Sequence, residues 1–96
     1  MTDRHRIELL PAAKRQLDAC EPPVRHRLKT AIDRLADNPY PAQVKRLKGP
    51  AAVLRIRVGD YRILYRVVED RLVVLVIRIG HRREVYRAFA RRRLGS

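Results

Sequence analysis

The sequence predicts an α+β domain: a two-helix hairpin packed on a three- to four-stranded antiparallel β-sheet. Three observations carry that prediction. Apolar residues between positions 10 and 35 recur at helical spacing, whereas from residue 53 onward they alternate with a period of two. Pro22-Pro23 and Asn38-Pro39 bound the helical part, and Gly59-Asp60 supplies a tight turn between two alternating runs. No repeat, low-complexity block or linker interrupts the 96 residues, so 1–96 reads as a single domain with 91–96 as a flexible tail.

The elements follow in order. Residues 4 to 10 alternate loosely and suit a short edge strand. Pro11 fits the first turn of a helix, where its missing N–H costs nothing, and Leu10, Ala13, Leu17 and Cys20 make a thin apolar stripe. Pro22-Pro23 breaks that helix and opens a second, in which Val24, Leu28, Ala31, Ile32 and Leu35 share one face. Asn38-Pro39 stops it, because proline disfavours helical geometry in the residue before it. Residues 53–58 and 61–68 then form a hairpin around Gly59-Asp60, with glycine first as a type II′ turn requires. Glu69-Asp70-Arg71 turns the chain again. The run from Leu72 to Ile79 is nearly all apolar, as in a strand covered on both faces, and Gly80 is expected to end it. Residues 82–87 add an edge strand or a tail.

Composition narrows the partners. The chain carries 23 Lys+Arg against 10 Asp+Glu, a formal charge of +13, yet 46% of its residues are apolar. A chain with that apolar share can bury a core and is no disordered polycation. So large a positive charge favours polyanions, with nucleic acid foremost. The apolar run from Leu72 to Ile77 is six residues long, whereas a spanning helix needs about 20, so no membrane association is expected. Asp3, Arg4, Arg6 and Glu8 stand where an export signal would be apolar. Cys20 has no second cysteine to pair with, which suits a reducing cytoplasm.

The placement of the arginines says more than their number. With Gly59-Asp60 as the loop, Val58 faces Tyr61, Arg57 faces Arg62, Ile56 faces Ile63 and Arg55 faces Leu64. Arg55, Arg57 and Arg62 then leave one side of the sheet, with Arg66 extending the row, while Ile56, Val58, Tyr61, Ile63 and Tyr65 leave the other toward the helices. A like-charge pair directly opposite costs about 0.2–1 kcal/mol, and a bound phosphate would reverse that penalty. Two readings stand side by side: the solvated face of a two-layer domain, or a phosphate site.

A second cluster, Gly80-His81-Arg82-Arg83-Glu84-Val85-Tyr86-Arg87, follows the third strand. It offers an imidazole, guanidiniums and a phenol. His81 reads equally as a turn residue bonded to a backbone carbonyl, and Tyr86 as a packing residue with a wet hydroxyl. Glu84 reads as a partner for neighbouring arginines. The three histidines and one cysteine lack metal-ligand spacing, and no Gly-rich phosphate loop precedes a helix, so neither a metal nor a cofactor is expected.

Taken together, Asn38-Pro39, Lys45-Arg46-Leu47-Lys48-Gly49, the run from Leu54 to Tyr65, and Val76-Ile77-Arg78-Ile79-Gly80-His81-Arg82-Arg83-Glu84-Val85-Tyr86 resemble RelE-type toxins of the RelE/ParE toxin–antitoxin superfamily. The resemblance spans roughly residues 4 to 88, in order. It implies a type II toxin acting as a ribosome-dependent mRNA endoribonuclease, an mRNA interferase that inhibits translation. In that chemistry the ribose 2′-hydroxyl attacks the adjacent phosphate and the 5′-oxygen leaves, without metal. Carried over by position, Arg62 would stabilise the transition-state charge, and Arg82 or Arg83 would assist the leaving group. Tyr86 would be the general base, with His81 as an alternative acid or base. Arg55, Arg57, Lys45 and Lys48 would bind phosphate. Arg55 and Arg57 stand where relatives often have lysine, and arginine cannot shuttle protons. Several guanidiniums around Tyr86 would favour its phenolate.

The implied partners are an acidic, RelB-like cognate antitoxin, the ribosome and mRNA, with operator DNA contacted through the antitoxin. Two other functions are compatible with the residues. One is a ParE-like toxin without nuclease activity that inhibits DNA gyrase. The other is an inactive basic module that binds RNA or the ribosome through phosphate contacts alone.

Overall fold

The computed structural model describes residues 4–49 and 52–81. Strand β1 (Arg6–Leu9) leads into helix α1 (Pro11–Asp18), and helix α2 (Pro22–Asp37) follows after a three-residue break. Both helices carry proline in their first turn and lack a side-chain cap. Apolar packing therefore holds them more than local capping does. Strands β2 (Lys45–Arg46), β3 (Leu54–Val58) and β4 (Tyr61–Val68) come next. A 3-10 turn (Glu69–Arg71) then leads into β5 (Val73–His81).

The expected α+β arrangement of a helical hairpin on an antiparallel sheet is what the chain adopts. The described sheet has five strands, however, rather than three or four, in the order β1-β5-β4-β3-β2. β1 pairs parallel to β5, and the two-residue β2 extends the far edge beside β3. Helices α1 and α2 carry the chain from β1 at one edge of the sheet to β2 at the other, and the strands from β2 to β5 then return across it to place β5 beside β1. This position explains why β5 is so apolar, since it has a strand on each side and helices over one face. Val74, Val76 and Ile79 are fully buried. Where β1 has ended, the side chain of Gln16 on α1 accepts the Ile79 N–H at 2.9 Å and so satisfies a donor that no strand reaches.

Two boundaries of the last strand differ from expectation. Leu72 lies before the strand, in the left-handed region at φ 53°, where it closes the 3-10 turn. Gly80 does not end the strand, which runs on to His81 because Gly80 still pairs with Arg62. Residues 82–87, expected as an edge strand or tail, lie outside the described residues.

The core lies between the helices and one face of the sheet. Ala13, Leu17, Leu28, Ile32 and Leu35 meet Leu54, Ile56, Ile63, Tyr65, Val74, Val76 and Ile79. Cys20 packs against this core as its place on the apolar stripe implies. The Tyr65 hydroxyl is buried and donates to the Pro39 carbonyl at 2.6 Å, tying the loop after α2 to the sheet. No helix among the described residues is long and apolar enough to cross a membrane.

Candidate functional site

The hairpin register is the expected one: Arg57 faces Arg62, Arg55 faces Leu64, Ile56 faces Ile63 and Val58 faces Tyr61. β5 extends both polar rows. Leu64 faces Arg78, and Arg62 faces Gly80. Two rows therefore cross the sheet on the side away from the helices, Arg55–Leu64–Arg78 and Arg57–Arg62–Gly80. Four guanidinium-bearing residues surround a patch where Gly80 contributes no side chain.

This face is more than a solvated surface. Leu64 and Val53 are buried in a second, smaller apolar cluster with Leu47 and Ile77 packed against it. Arg55 is only 8% exposed, and Arg62 and Arg78 are half-buried, while Arg57 and Arg66 are exposed. The aliphatic stems thus lie against an apolar floor with the charged heads above it. Arg62 donates weakly from Nη1 to the carbonyls of Tyr61 at 3.2 Å and Gly59 at 3.4 Å, which turns its head toward the hairpin loop. Its Nε is buried and without a hydrogen-bond partner, and so is the Nε of Arg78. Buried donors of this kind are rarely left unsatisfied in folded proteins.

Sequence reasoning missed Arg78. A lone arginine in the apolar run of β5 was the available signal, but its side depends on a register shift between Leu64 and Tyr65. Across that shift β5 carries one extra residue, Ile77, between Val76 opposite Tyr65 and Arg78 opposite Leu64. Such a bulge changes the phase of the alternation.

The other expected site residues fall as follows. Lys45 is exposed on β2 and faces Arg55, so it borders the same surface. Lys48 is exposed in the segment after β2. His81 is exposed at the end of β5 opposite Tyr61, and the two rings meet edge to face with centroids 5.5 Å apart. Tyr61 belongs to the helix-facing row, so the structure does not bring His81 together with the arginine rows. Arg82, Arg83 and Tyr86 lie outside the described residues.

The described tyrosines near the sheet are poor bases. Burial pushes the phenol of Tyr65 well above its ordinary value. Burial, followed by the nearby Cys20, raises that of Tyr61. Tyr40 is also raised, by burial and then by Glu69. Among the described residues, no group of three or more His, Cys, Asp or Glu is placed to hold a metal ion. The arrangement is suited to gripping an anion with guanidiniums on a largely apolar floor.

A family model described as the ParE toxin of the type II toxin–antitoxin system parDE matches residues 7–86. That span includes every strand and helix except the first residue of β1. The chain belongs to the RelE/ParE family of type II toxins. A relative named as toxin RelE1 of Methanocaldococcus jannaschii is 30% identical over 84 residues, covering 84% of this chain and 93% of the relative. Among solved structures, a mutant of the E. coli toxin RelE in its free state superposes with a TM-score of 0.75 at 24% identity, covering 93% of this chain and 97% of that one. The toxin–antitoxin complex RelBE2 of Mycobacterium tuberculosis contains a chain matching at TM-score 0.71 and 26% identity, over 82% of this chain and 99% of that one. The RelE/ParE fold and the toxin family are thereby shown for this chain.

Proposed function

We propose that this RelE/ParE toxin is an mRNA interferase that cleaves mRNA on the ribosome and so stops translation. The observation that carries the reading is the pair of arginine rows on the open face, which brings Arg55, Arg57, Arg62 and Arg78 to neighbouring positions of three adjacent strands. They suit the most highly charged species of RNA cleavage, the pentacoordinate phosphorane. In the reaction the 2′-oxygen forms a bond to phosphorus and the bond to the 5′-oxygen breaks. A base takes the 2′-hydroxyl proton and an acid protonates the departing 5′-oxygen, leaving a 2′,3′-cyclic phosphate and a 5′-hydroxyl. No metal is required in this scheme, because the nucleophile is internal to the substrate and guanidiniums neutralise the phosphate.

In this reading Arg62 stabilises the developing charge, with Arg78 as a second donor. Arg55 and Arg57 hold the scissile phosphate, and Lys45 and Lys48 take neighbouring phosphates. Arg82 or Arg83 assists the leaving group and Tyr86 is the base. His81 takes no part, since its ring meets Tyr61 edge to face in the helix-facing row, away from the arginines. The toxin works in the cytoplasm and is silenced by an acidic antitoxin, and their complex contacts operator DNA through the antitoxin. Relatives crystallised as RelE–RelB complexes support such a partner.

Primer extension on mRNA from cells expressing the wild type and Arg62→Ala tests the reading. Codon-phased cuts are expected with the wild type alone. A second reading, inhibition of DNA gyrase, is favoured by the ParE description of the matching family model. It would prevail if Arg62→Ala and Tyr86→Phe kept full toxicity while translation continued and supercoiling failed.

A further inference from the structure

The hairpin turn connects the open face to a second basic region on the other side of the sheet edge. β2 pairs with β3 only at Leu54 and Arg55, so the outer edge of β3 from Ile56 to Val58 carries no strand among the described residues. Beside that edge, two adjoining hollows of about 370 and 430 Å³ run between β3 and α2. They share Ala31, Arg34, Gln43 and Arg57, and the second adds His26, Arg27, Thr30 and Val58. Among the described residues no carboxylate lines either hollow. Acidic residues on the helices pair elsewhere: Asp33 and Asp37 with Arg4, and Asp18 with Lys14.

Continuity with the arginine rows rests on two residues. Arg57 is both a member of the open-face row and a wall of the two hollows. Gly59 is approached from both sides. Arg62 donates to its carbonyl, and a Cβ at this position would lie 3.2 Å from Nη2 of Arg27. From Arg27 to Arg34 is two helical turns, about 10.5 Å along the axis of α2. The cations therefore form a track from Arg62 over the β3 edge, past Arg57 and Arg27, to Arg34.

We infer that this α2–β3 groove is a second binding site for the phosphodiester backbone of single-stranded RNA, continuing the path of the strand whose scissile phosphate lies at Arg62. The inference rests on the nuclease reading for the identity of the strand. Two features fit a backbone rather than bases. The lining offers guanidiniums and amide or hydroxyl groups for phosphate and sugar, and among the described residues it holds no carboxylate; its one ring is the imidazole of His26, with no Phe, Tyr or Trp beside it. The groove should thus bind without regard to sequence, leaving any base preference to the open face. An extended acidic peptide, pairing with the free edge of β3, is the competing occupant.

The test is the salt dependence of binding to 2′-O-methylated oligouridylates, which cannot be cut by 2′-hydroxyl attack, without ribosomes. One oligonucleotide of about 5 and one of about 15 nucleotides bracket the reach of such a surface. Arg27→Gln/Arg34→Gln is compared with Arg15→Gln/Lys29→Gln, which removes the same charge from α1 and from the side of α2 turned away from the groove. All four residues are exposed, so folding is not at stake.

For the long oligonucleotide, the groove pair is expected to reduce the slope of log K against log salt by about 1.4, since each phosphate contact on a single strand contributes about 0.7. The short one should be unaffected by either pair, and for the long one the control pair should lower the slope by less than the groove pair does. Equal effects of the two pairs on the long oligonucleotide, or an unchanged slope there for the groove pair, overturn the inference. So does loss of an acidic peptide ligand with RNA binding intact, which assigns the groove to a protein strand. Loss of codon-phased cutting plays no part in this readout, so failure of the nuclease reading is recognised separately by primer extension.

Discussion

Arg57 and Arg62 stand directly opposite each other across the β3–β4 hairpin, with no carboxylate paired to either among the described residues. Two like charges in a cross-strand pair oppose folding. Replacing the exposed partner by a neutral residue of similar reach should therefore stabilise the protein. Arg57→Gln is expected to add about 0.2–1 kcal/mol, seen as a rise of about 1–8 °C in Tm. The same variant should cut mRNA more slowly. Thermal melts at low and moderate salt check the cause, because the gain should shrink as salt screens the repulsion.

Arg78 belongs to the row of Leu64 and Arg55 and has an unpartnered, buried Nε. Arg78→Ala is expected to slow single-turnover cleavage about 10²-fold, in the range seen on removal of one preorganised donor. Arg78→Lys should restore little, because an ammonium on a flexible stem does not reproduce the guanidinium fork. Full recovery with lysine would mean that Arg78 supplies only charge. An unchanged rate in both variants would remove it from the site.

Gly59 sits at φ 61°, in the left-handed region, and starts the turn that sets the hairpin register. Gly59→Ala is expected to cost about 1–2 kcal/mol in urea unfolding, chiefly as backbone strain. The new Cβ would also press on the tip of the Arg27 side chain, which is flexible enough to move. Gly59→Asn should cost less, since asparagine tolerates this conformation. Equal stability of wild type and Gly59→Ala would show that the turn has relaxed out of the left-handed region.

Tyr65 should make the protein sensitive to alkali. Its phenol is raised above the ordinary value of 10.0 by burial, so the unfolded chain ionises first as pH climbs. The folded state therefore holds the proton more tightly. Its contribution to stability is fully present below about pH 10 and declines above that, by up to about 1.4 kcal/mol per pH unit. Tyr65→Phe should flatten this alkaline decline. At neutral pH it should cost about 1–3 kcal/mol, because the Pro39 carbonyl loses its buried donor. Urea midpoints between pH 7 and 11 for both proteins decide the matter.

By itself the sequence determined the helical hairpin, the β3–β4 register and the face that carries Arg55, Arg57 and Arg62. These features are local. Two prolines punctuate the helices, and a glycine-first turn fixes which residues oppose one another within a few positions. The motifs from Asn38 to Tyr86 likewise sufficed to indicate the toxin family. Tertiary structure decided what local periodicity cannot encode. β1 lies beside β5 through pairing across more than 60 residues, and β2 is too short to have a period. The bulge at Ile77 shifts the alternation by one residue and brings Arg78 onto the open face, while His81 remains in the helix-facing row with Tyr61. The α2–β3 groove exists only because a helix from one half of the chain packs beside a strand edge from the other.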